Sequence, residues 1–353
     1  MSSLLPKLIF YFKKPQLIIV TGKARDLTAE AIFQVLKSHF DVEKIKKLNL
    51  KNILKNKTLI FPSNLEEDLT YFVKNLEKPI LVVTHVGEIP PDVYFFAGEK
   101  KDVKKILKLA KELPLGGSLI LNFDDETVRE IGDKIQLSPL TFGFQEANLR
   151  ASDVKLNTGT NFKVDYQGNI IPVWLENLFG KENIYAALAA MCCGICFGLN
   201  LVEISQALKD FQGLEGKMQL KRGIKDSQIL DGSASTSPFA MAEALKILGE
   251  MKAEGRKIAV LGDILGIERA VQAHESIGEK VAEVADLLFT VGPRAKFFAK
   301  GAKIRGLEKT FSFDTSKEAA LSLKKEIKKG DLILVNGSKE IKMGEIVKEI
   351  KAV

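Results

Sequence analysis

The sequence predicts a two-domain protein of the α/β class, in which helices cover both faces of mainly parallel sheets. The chain has 353 residues, which is more than one ordinary domain needs and suits two. Short apolar runs with the length of buried strands alternate with longer segments whose apolar residues recur at helical spacing. This alternation is typical of a doubly wound sheet, in which each strand is followed by a helix.

The first half of the chain contains the larger predicted sheet. Its strands are 16–20, 58–61, 79–86, 93–97 and 118–121, and its helices are 27–40, 65–76, 102–113, 181–197 and 202–211. Between residues 141 and 172 the pattern changes to short alternating segments separated by Asn-Thr-Gly and Gln-Gly-Asn turns. Such turns favour hairpins, so we expect an antiparallel β appendage there.

A second α/β pattern follows a Gly- and Lys-containing hinge at 213–223. Its predicted strands are 228–231, 257–261, 287–291 and 332–335, separated by helices near 238–251, 271–285, 316–328 and 340–351. The boundary therefore falls near residue 213, which gives domains 1–212 and 213–353.

The charge and hydropathy of the chain limit its partners. The net charge is +7, but the basic residues are interspersed with acidic ones, which favours small anionic ligands and is not a nucleic-acid footprint. No apolar run is long enough to span a membrane, so we expect no transmembrane segment. The apolar N-terminus, residues 1–12, is interrupted by Pro6 and Lys7 and does not resemble a signal peptide. We expect an amphipathic helix packed on the body there, with peripheral membrane contact as the alternative.

The cysteines indicate a reducing compartment. Cys192, Cys193 and Cys196 lie too close together to join distant elements, which favours a cytoplasmic location. The last two form a C-x-x-C pair, but the flanking sequence is helical and apolar, and no histidine lies nearby. Buried cysteines on a core helix explain the pattern better than a redox or metal site.

Polar and small residues follow most of the predicted strands. In open α/β sheets, ligands bind at these carboxyl ends, where helix N-termini point at them. Turns need Gly, Asn, Asp and Ser in any case, so no single strand end is specific. The strand ends are Thr21-Gly22, Asn122–Asp125, Asp231–Ser233, Gly262-Asp263 and Asn336–Ser338.

Taken in order, these motifs resemble the Mur ligase family. Residues 119–125 resemble the family's "ILNxDD" strand end, and residues 182–188 resemble its "HNxxNAL" helix start. Residues 213–218 resemble its "GRM" hinge, and residues 229–238 resemble its "IDDSYNANP" segment. Residues 260–265 with His274 resemble its "LGDMLELG" and following histidine, residues 287–292 its "LFTVG", and residues 335–338 its "VKGS". The resemblance covers residues 15–353, is strongest from residue 180 onward, and is greatest to the members that add D-alanyl-D-alanine in peptidoglycan synthesis.

The resemblance implies an ATP-dependent ligase of cell-wall precursor synthesis that joins a carboxylate to an amine. It implies a P-loop-like central domain, a smaller Rossmann-like C-terminal domain, and ATP and Mg²⁺ as cofactors. It assigns nucleotide binding to Thr21, Gly22, Lys23, Asn183, Lys217 and Asp231, and substrate binding to Ser235, Ser237, Asp263 and Ser338. It gives no catalytic residue and no metal ligand that can be matched.

The chain also departs from the family pattern at the phosphate loop. The family reads T-G-x-x-G-K-T-[ST], whereas residues 21–28 are one residue shorter and lack the second glycine, the lysine and the threonine. Asp26 stands where phosphate would lie, and like charges repel. Lys23 or Arg25 would have to replace the missing cation.

Further departures affect the metal and the second domain. Pro62-Ser63-Asn64 replaces the family's metal-binding glutamate after its strand, and the histidine of "VGPAHLE" has no match after Gly87. In the second domain Lys217, Gly232 and Asn336 replace an arginine, an aspartate and a lysine of the family. We expect no counterpart of the family's N-terminal UDP-binding domain in this sequence.

Two hypotheses remain open. In the first, the chain is a divergent ATP-dependent ligase with a repurposed phosphate loop. In the second, it is a catalytically degenerate relative that binds or scaffolds other cell-wall enzymes. A generic dinucleotide or nucleotide-sugar binder is a weaker reading, because no strand is followed by G-x-G-x-x-G.

Overall fold

The computed structural model describes residues 12–54, 57–86, 100–234, 237–265 and 270–352, which form two compact units. The first unit comprises the chain up to Lys155 together with Asn161–Leu175 and Lys181–Phe211. The second comprises Leu156–Thr160, Glu176–Gly180 and the chain from Gln212 onward, so two short stretches of the first half pack with the second unit. The predicted N-terminal helix before residue 12 and the predicted strand 93–97 lie outside the described residues.

The first unit is built on a nine-stranded sheet. Its strands are β1 (Leu17–Thr21), β2 (Val42–Lys44), β3 (Thr58–Pro62), β4 (Ile80–Val83), β5 (Ser118–Asn122), β6 (Leu140–Gly143), β7 (Leu149–Leu156), β8 (Gly159–Tyr166) and β9 (Asn169–Glu176). The spatial order is β2-β3-β1-β4-β5-β6-β7-β8-β9, and neighbours are parallel from β2 through β7. β1 is fully buried, as expected for a central strand covered on both faces.

The helices of this unit pack on that sheet. They are α1 (Arg25–Leu36), α2 (Leu50–Ile53), α3 (Thr70–Lys74), α4 (Lys100–Lys111), α5 (Glu126–Gly132), α6 (Lys181–Cys196) and α7 (Leu201–Lys209). α6 packs closely against α1 and α7, since a Cβ added at Gly194 would lie 2.7 Å from Ile204 and 3.2 Å from Val35.

The structure sharpens one expectation for the first unit and corrects another. The strands of the expected β appendage, β7, β8 and β9, are joined by two-residue loops and extend the main sheet. The strand pattern predicts these hairpins, but it does not tell which sheet their edge joins. Cys192 and Cys193 are buried as expected, and burial raises the pKa of both thiols, but Cys196 is exposed at the end of α6.

The second unit is a six-stranded sheet with helices on both faces. Its strands are β10 (Gln219–Arg222), β11 (Gln228–Gly232), β12 (Lys257–Gly262), β13 (Leu287–Val291), β14 (Thr310–Phe313) and β15 (Leu332–Asn336), and its helices are α8 (Pro238–Glu250), α9 (Ala270–Val284), α10 (Lys296–Ile304), α11 (Ser316–Glu326) and α12 (Met343–Ile350). The order is β10-β11-β15-β12-β13-β14, parallel except for the edge strand β10.

Two apolar clusters hold this sheet, one on each face. One includes Met241 of α8, Val281 of α9 and Phe298 of α10, and the other includes Leu323 of α11 and Ile346 of α12. The predicted α/β class is confirmed in both units. The predicted hinge 213–223 contains β10, which the sequence pattern does not reveal because three of its four residues are polar or charged. Within the described part of the chain, no helix combines the length and apolar character needed to cross a membrane.

Candidate functional site

The first strand-to-helix turn connects β1 to α1 through only three residues, Gly22, Lys23 and Ala24. Gly22 has φ 99°, and a Cβ there would lie 2.5 Å from the Thr84 hydroxyl and 2.6 Å from the His85 carbonyl oxygen. Glycine is therefore required both by the backbone conformation and by the contact. The turn lies directly against the chain that follows β4.

Hydrogen bonds close this turn. The Lys23 backbone N–H donates to the His85 carbonyl at 2.7 Å. The Thr84 hydroxyl contacts the carbonyls of Thr21, at 3.0 Å, and of Lys23. In a phosphate-binding loop, successive backbone N–H groups point at the ligand. Here the N–H of Lys23 points at protein, and this bond explains why β4 ends at Val83 although the apolar run suggested a strand to Val86.

The charged residues beside the turn serve local structure. The Arg25 guanidinium donates to the Gly22 carbonyl at 3.3 Å, so it braces the turn. Asp26 is exposed in the first turn of α1, where a negative charge stabilises the helix dipole. The same charge repels a phosphate placed at this helix N-terminus.

The end of β3 does not present a metal ligand. Ser63 donates its N–H to Val20 at 2.8 Å, and its hydroxyl accepts from Leu65. Glu66, the nearest carboxylate, is exposed and accepts from Asn64 at 2.7 Å. Across the ranges that the structure describes, no group of three His, Cys, Asp or Glu side chains is placed to hold a metal ion. Mg²⁺ prefers carboxylate and hydroxyl oxygens, and here the Ser63 hydroxyl and the Glu66 carboxylate both accept hydrogen bonds from neighbouring residues of the same loop.

The paired aspartates after β5 tie loops together, a role that the sequence did not assign. Asp125 caps α5 by accepting from Thr127 and also accepts from the Val86 N–H at 2.6 Å. Asp124 accepts from the Phe144 N–H and from the Tyr185 hydroxyl, both at 2.8 Å. The signal was available, since Asp before a helix start is a common N-cap.

Asn183 lies in the first turn of α6 and is almost fully buried. It belongs to the same unit as Thr21, Gly22 and Lys23, and its helix packs against α1. Its assignment to nucleotide binding stays a prediction, as do those of the three turn residues.

In the second unit the predicted residues divide between the hinge and the strand ends. Asp231 is the penultimate residue of β11, is buried, and forms an ion pair with Lys221 at 2.5 Å. Lys217 is half-buried in the turn before β10. Ser237 is the N-cap of α8, and its hydroxyl accepts from Ala240 at 3.1 Å. Ser235 lies outside the described residues.

Asp263 is fully buried after β12 and joins three elements. Its carboxylate is 2.8 Å from Nε2 of the equally buried His274 on α9, and it accepts from the Arg294 backbone and guanidinium at 3.3 and 3.4 Å. The contacts explain the spacing of the "LGD…H" pattern, because the pair fixes α9 to the end of β12. They support a structural role beside the predicted substrate role.

Asn336 and Gly232 are neighbours in register on β15 and β11. A Cβ at Gly232 would lie 2.6 Å from Nδ2 of Asn336. Asn336 is fully buried, and among the described residues neither polar atom of its side chain has a hydrogen-bond partner. Two of the positions at which the chain departs from the family pattern are thus in contact, and Asn336 fills the space that a side chain at 232 would take. Ser338, the predicted substrate residue two positions later, is also buried.

Two models of known protein domains match this chain. The model for the Mur ligase middle domain matches residues 95–194, and that for the Mur ligase glutamate ligase domain matches residues 216–339. The α/β architecture and these matched domains define a Mur-type ligase fold. The chain belongs to the Mur ligase family, as its motifs predicted.

Curated relatives are similar over part of their length. UDP-N-acetylmuramate--L-alanine ligase of Dictyoglomus turgidum is 27% identical over 292 residues, which is 77% of this chain and 61% of that protein. UDP-N-acetylmuramoyl-tripeptide--D-alanyl-D-alanine ligase of Bacillus subtilis is 28% identical over 50% of this chain and 40% of that protein. The chain thus spans about half the length of these relatives.

A solved structure shares the fold over nearly the whole chain. The MurF ligase of Thermotoga maritima, solved in complex with ADP, matches with a TM-score of 0.77 at 18% identity. The match covers 98% of this chain and 81% of that one. At this identity the likeness establishes the fold.

Proposed function

We propose that this chain acts in peptidoglycan precursor synthesis as a non-catalytic member of the Mur ligase family, a binding or scaffolding partner of an active cell-wall enzyme. Its curated relatives are ligases that act on UDP-N-acetylmuramate and its tripeptide derivative. In this proposal the chain acts in the same pathway as these relatives but does not carry out the ATP-dependent reaction.

One observation carries the proposal, namely the hydrogen bond from the Lys23 N–H to the His85 carbonyl. It occupies a backbone donor at the place where a phosphate would bind, in a turn that lacks the family's lysine and hydroxyl. Removing one preorganised donor from an active site costs about 3–4 kcal/mol of transition-state stabilisation. The turn also lacks the family's lysine and hydroxyl, and the chain after β3 lacks the family's glutamate, so further groups that the family uses in phosphoryl transfer are replaced here.

The test measures phosphate release from ATP and Mg²⁺ by the purified chain, with UDP-linked muramoyl precursors and a panel of amino acids and dipeptides. We expect a rate equal to that without protein. An ATP-dependent release that requires both a precursor and an amine, and that yields the amide product by mass spectrometry, would overturn the proposal.

The second candidate is the ATP-dependent ligase itself, joining a carboxylate to an amine. Retention of Asn183 at the start of α6 and of the Asp263–His274 pair favours it, because these positions match the family pattern. In that case Lys23 or Arg25 supplies the missing cation. Replacing each with methionine would then lower phosphate release, whereas the first proposal expects no release to lower.

A further inference from the structure

The second unit contains a groove between α12 and the strands β10 and β11. Its volume is about 380 Å³, within the range of small-molecule sites. We call it the lysine groove, because five of the residues that line it are Lys221, Lys339, Lys342, Lys348 and Lys351. All of its lining residues belong to the second unit.

The floor of the groove is a buried ion pair with spare donors. The Lys221 side chain is only 15% exposed, and its ammonium lies 2.5 Å from the Asp231 carboxylate, which is 3% exposed. An ammonium carries three N–H donors. Asp231 is the one acceptor that the described residues offer to Lys221. The remaining donors of a largely buried cation therefore need an acceptor from the groove, because unmade hydrogen bonds of buried charges are costly.

The rim of the groove concentrates unpaired positive charge. In the described part of the chain, none of Lys339, Lys342, Lys348 and Lys351 forms an ion pair within 4 Å. Other lysines of the same unit do find carboxylates. They are Lys246, Lys300, Lys324 and Lys329.

The charge balance of the lining sets the ligand class. Three acidic residues, Glu215, Asp231 and Glu345, also line the groove, so the five lysines leave an excess of two positive charges. α12 begins at the groove, directly after Lys342, and a helix N-terminus favours an anion. A polyanionic group that accepts several hydrogen bonds, such as a diphosphate, complements both the excess positive charge and the spare donors of Lys221.

We propose that the lysine groove binds a diphosphate-bearing small molecule. The proposed site lies wholly within the second unit, because every residue that lines the groove belongs to that unit. It therefore stands whether or not the first unit turns over ATP, and it supplies this chain with a phosphate-binding function that does not use the family's phosphate loop.

The test is calorimetric titration of the full chain with inorganic pyrophosphate at low salt without Mg²⁺. The Lys342→Met/Lys348→Met double variant changes only exposed side chains, and we expect it to weaken binding about tenfold. The matched control is Lys246→Met/Lys300→Met, which removes the same charge from the same unit away from the groove, and it should bind as the parent does. Lys221→Arg keeps the buried charge, so the fold is preserved while the position of the donors changes, and binding should weaken.

Parallel titrations with ADP and UDP identify the source of the diphosphate. Equal affinity for all three ligands means that the groove contacts only the diphosphate. Tighter binding of one nucleotide means that its base also contacts the groove. The proposal is overturned if pyrophosphate does not bind, or if the groove variant and the control variant bind it equally well, since the interaction is then only general attraction to a basic protein. Because no phosphate release is measured, this result is independent of the test of catalysis.

Discussion

The strand ends of the two units have lost family residues in different ways. After β1 in the first unit, a main-chain hydrogen bond from the Lys23 N–H to the His85 carbonyl closes the turn against the chain that follows β4. At the end of β11 in the second unit, the change is between side chains, where Asn336 fills the space over Gly232. After β1 a backbone donor is used within the protein, whereas Asn336 has polar atoms without a hydrogen-bond partner among the described residues. The contacts are therefore made by backbone atoms at the first strand end and by a side chain at the second.

The largest expected effect tests the closed turn. Gly22→Ala combines φ 99° with contacts of 2.5 and 2.6 Å to Thr84 and His85, so we expect a loss of about 3–4 kcal/mol of unfolding free energy. Urea unfolding followed by fluorescence measures it, because the single tryptophan, Trp174, lies in the first unit. Gly198→Ala is the matched control, since φ is 79° but nothing lies within 4 Å. Equal losses for the two variants would show that the contact with β4 does not hold the turn.

The next largest effect tests the contact between Gly232 and Asn336. Gly232→Ala places a Cβ 2.6 Å from Asn336 and 3.0 Å from Met218, and overpacking of this kind costs about 2 kcal/mol. Asn336→Ala in the same chain should restore most of the loss, because it removes the amide that the new methyl meets. Unfolding followed by circular dichroism gives the four free energies of a double-mutant cycle. Additive effects would show that the two positions are not coupled.

A pH effect should test the ion pair between Asp331 and Arg256 in the second unit. Burial alone raises the pKa of Asp331, but the Arg256 guanidinium and the N–H groups of Lys328 and Arg256 outweigh it and hold the pKa below its usual range. A lowered folded pKa means stabilisation that is present above about pH 4, the unfolded value, and lost as the pH falls through the folded pKa. Asp331→Asn should cost about 2 kcal/mol at pH 7 and much less at pH 2. The same loss at both pH values contradicts this account.

The smallest effect concerns the hydroxyl that braces the turn. Thr84→Val keeps the shape but removes the contacts with the Thr21 and Lys23 carbonyls, and the expected loss is about 1 kcal/mol. Thr70→Val is the comparison, because its hydroxyl bonds only the exposed Asp68. If Thr84→Val is no more destabilising than Thr70→Val in fluorescence-detected unfolding, the hydroxyl does not stabilise the turn.

The alternation of strands and helices was predictable because buried parallel strands are apolar over nearly their whole length, as in β1 and β15. Edge elements were missed for the opposite reason. Three of the four residues of β10 are polar or charged and none is buried, and β2 has only three residues. The helix expected over 65–76 shrinks to Thr70–Lys74, because Leu65 has φ 55° and the chain before Thr70 is irregular.

For the candidate site, the sequence identified the family and the absent residues. It did not predict what replaces them, since the Lys23–His85 bond is made by backbone atoms that every residue carries. The contact of Asn336 with Gly232 depends on strand order, which places β15 beside β11 although about a hundred residues separate them. The place of Lys221 in the lysine groove was not predictable either, because the groove is formed by segments that are distant in the sequence.

The most direct test of the account is hydrogen exchange of the Lys23 amide, followed by nuclear magnetic resonance with and without millimolar ATP and Mg²⁺. We predict that this amide is already protected in the free protein by its bond to His85, and that ATP and Mg²⁺ leave its exchange rate and chemical shift unchanged. Fast exchange in the free protein together with strong protection by ATP would mean that the turn is open and binds phosphate, and it would contradict the claim that the turn is closed.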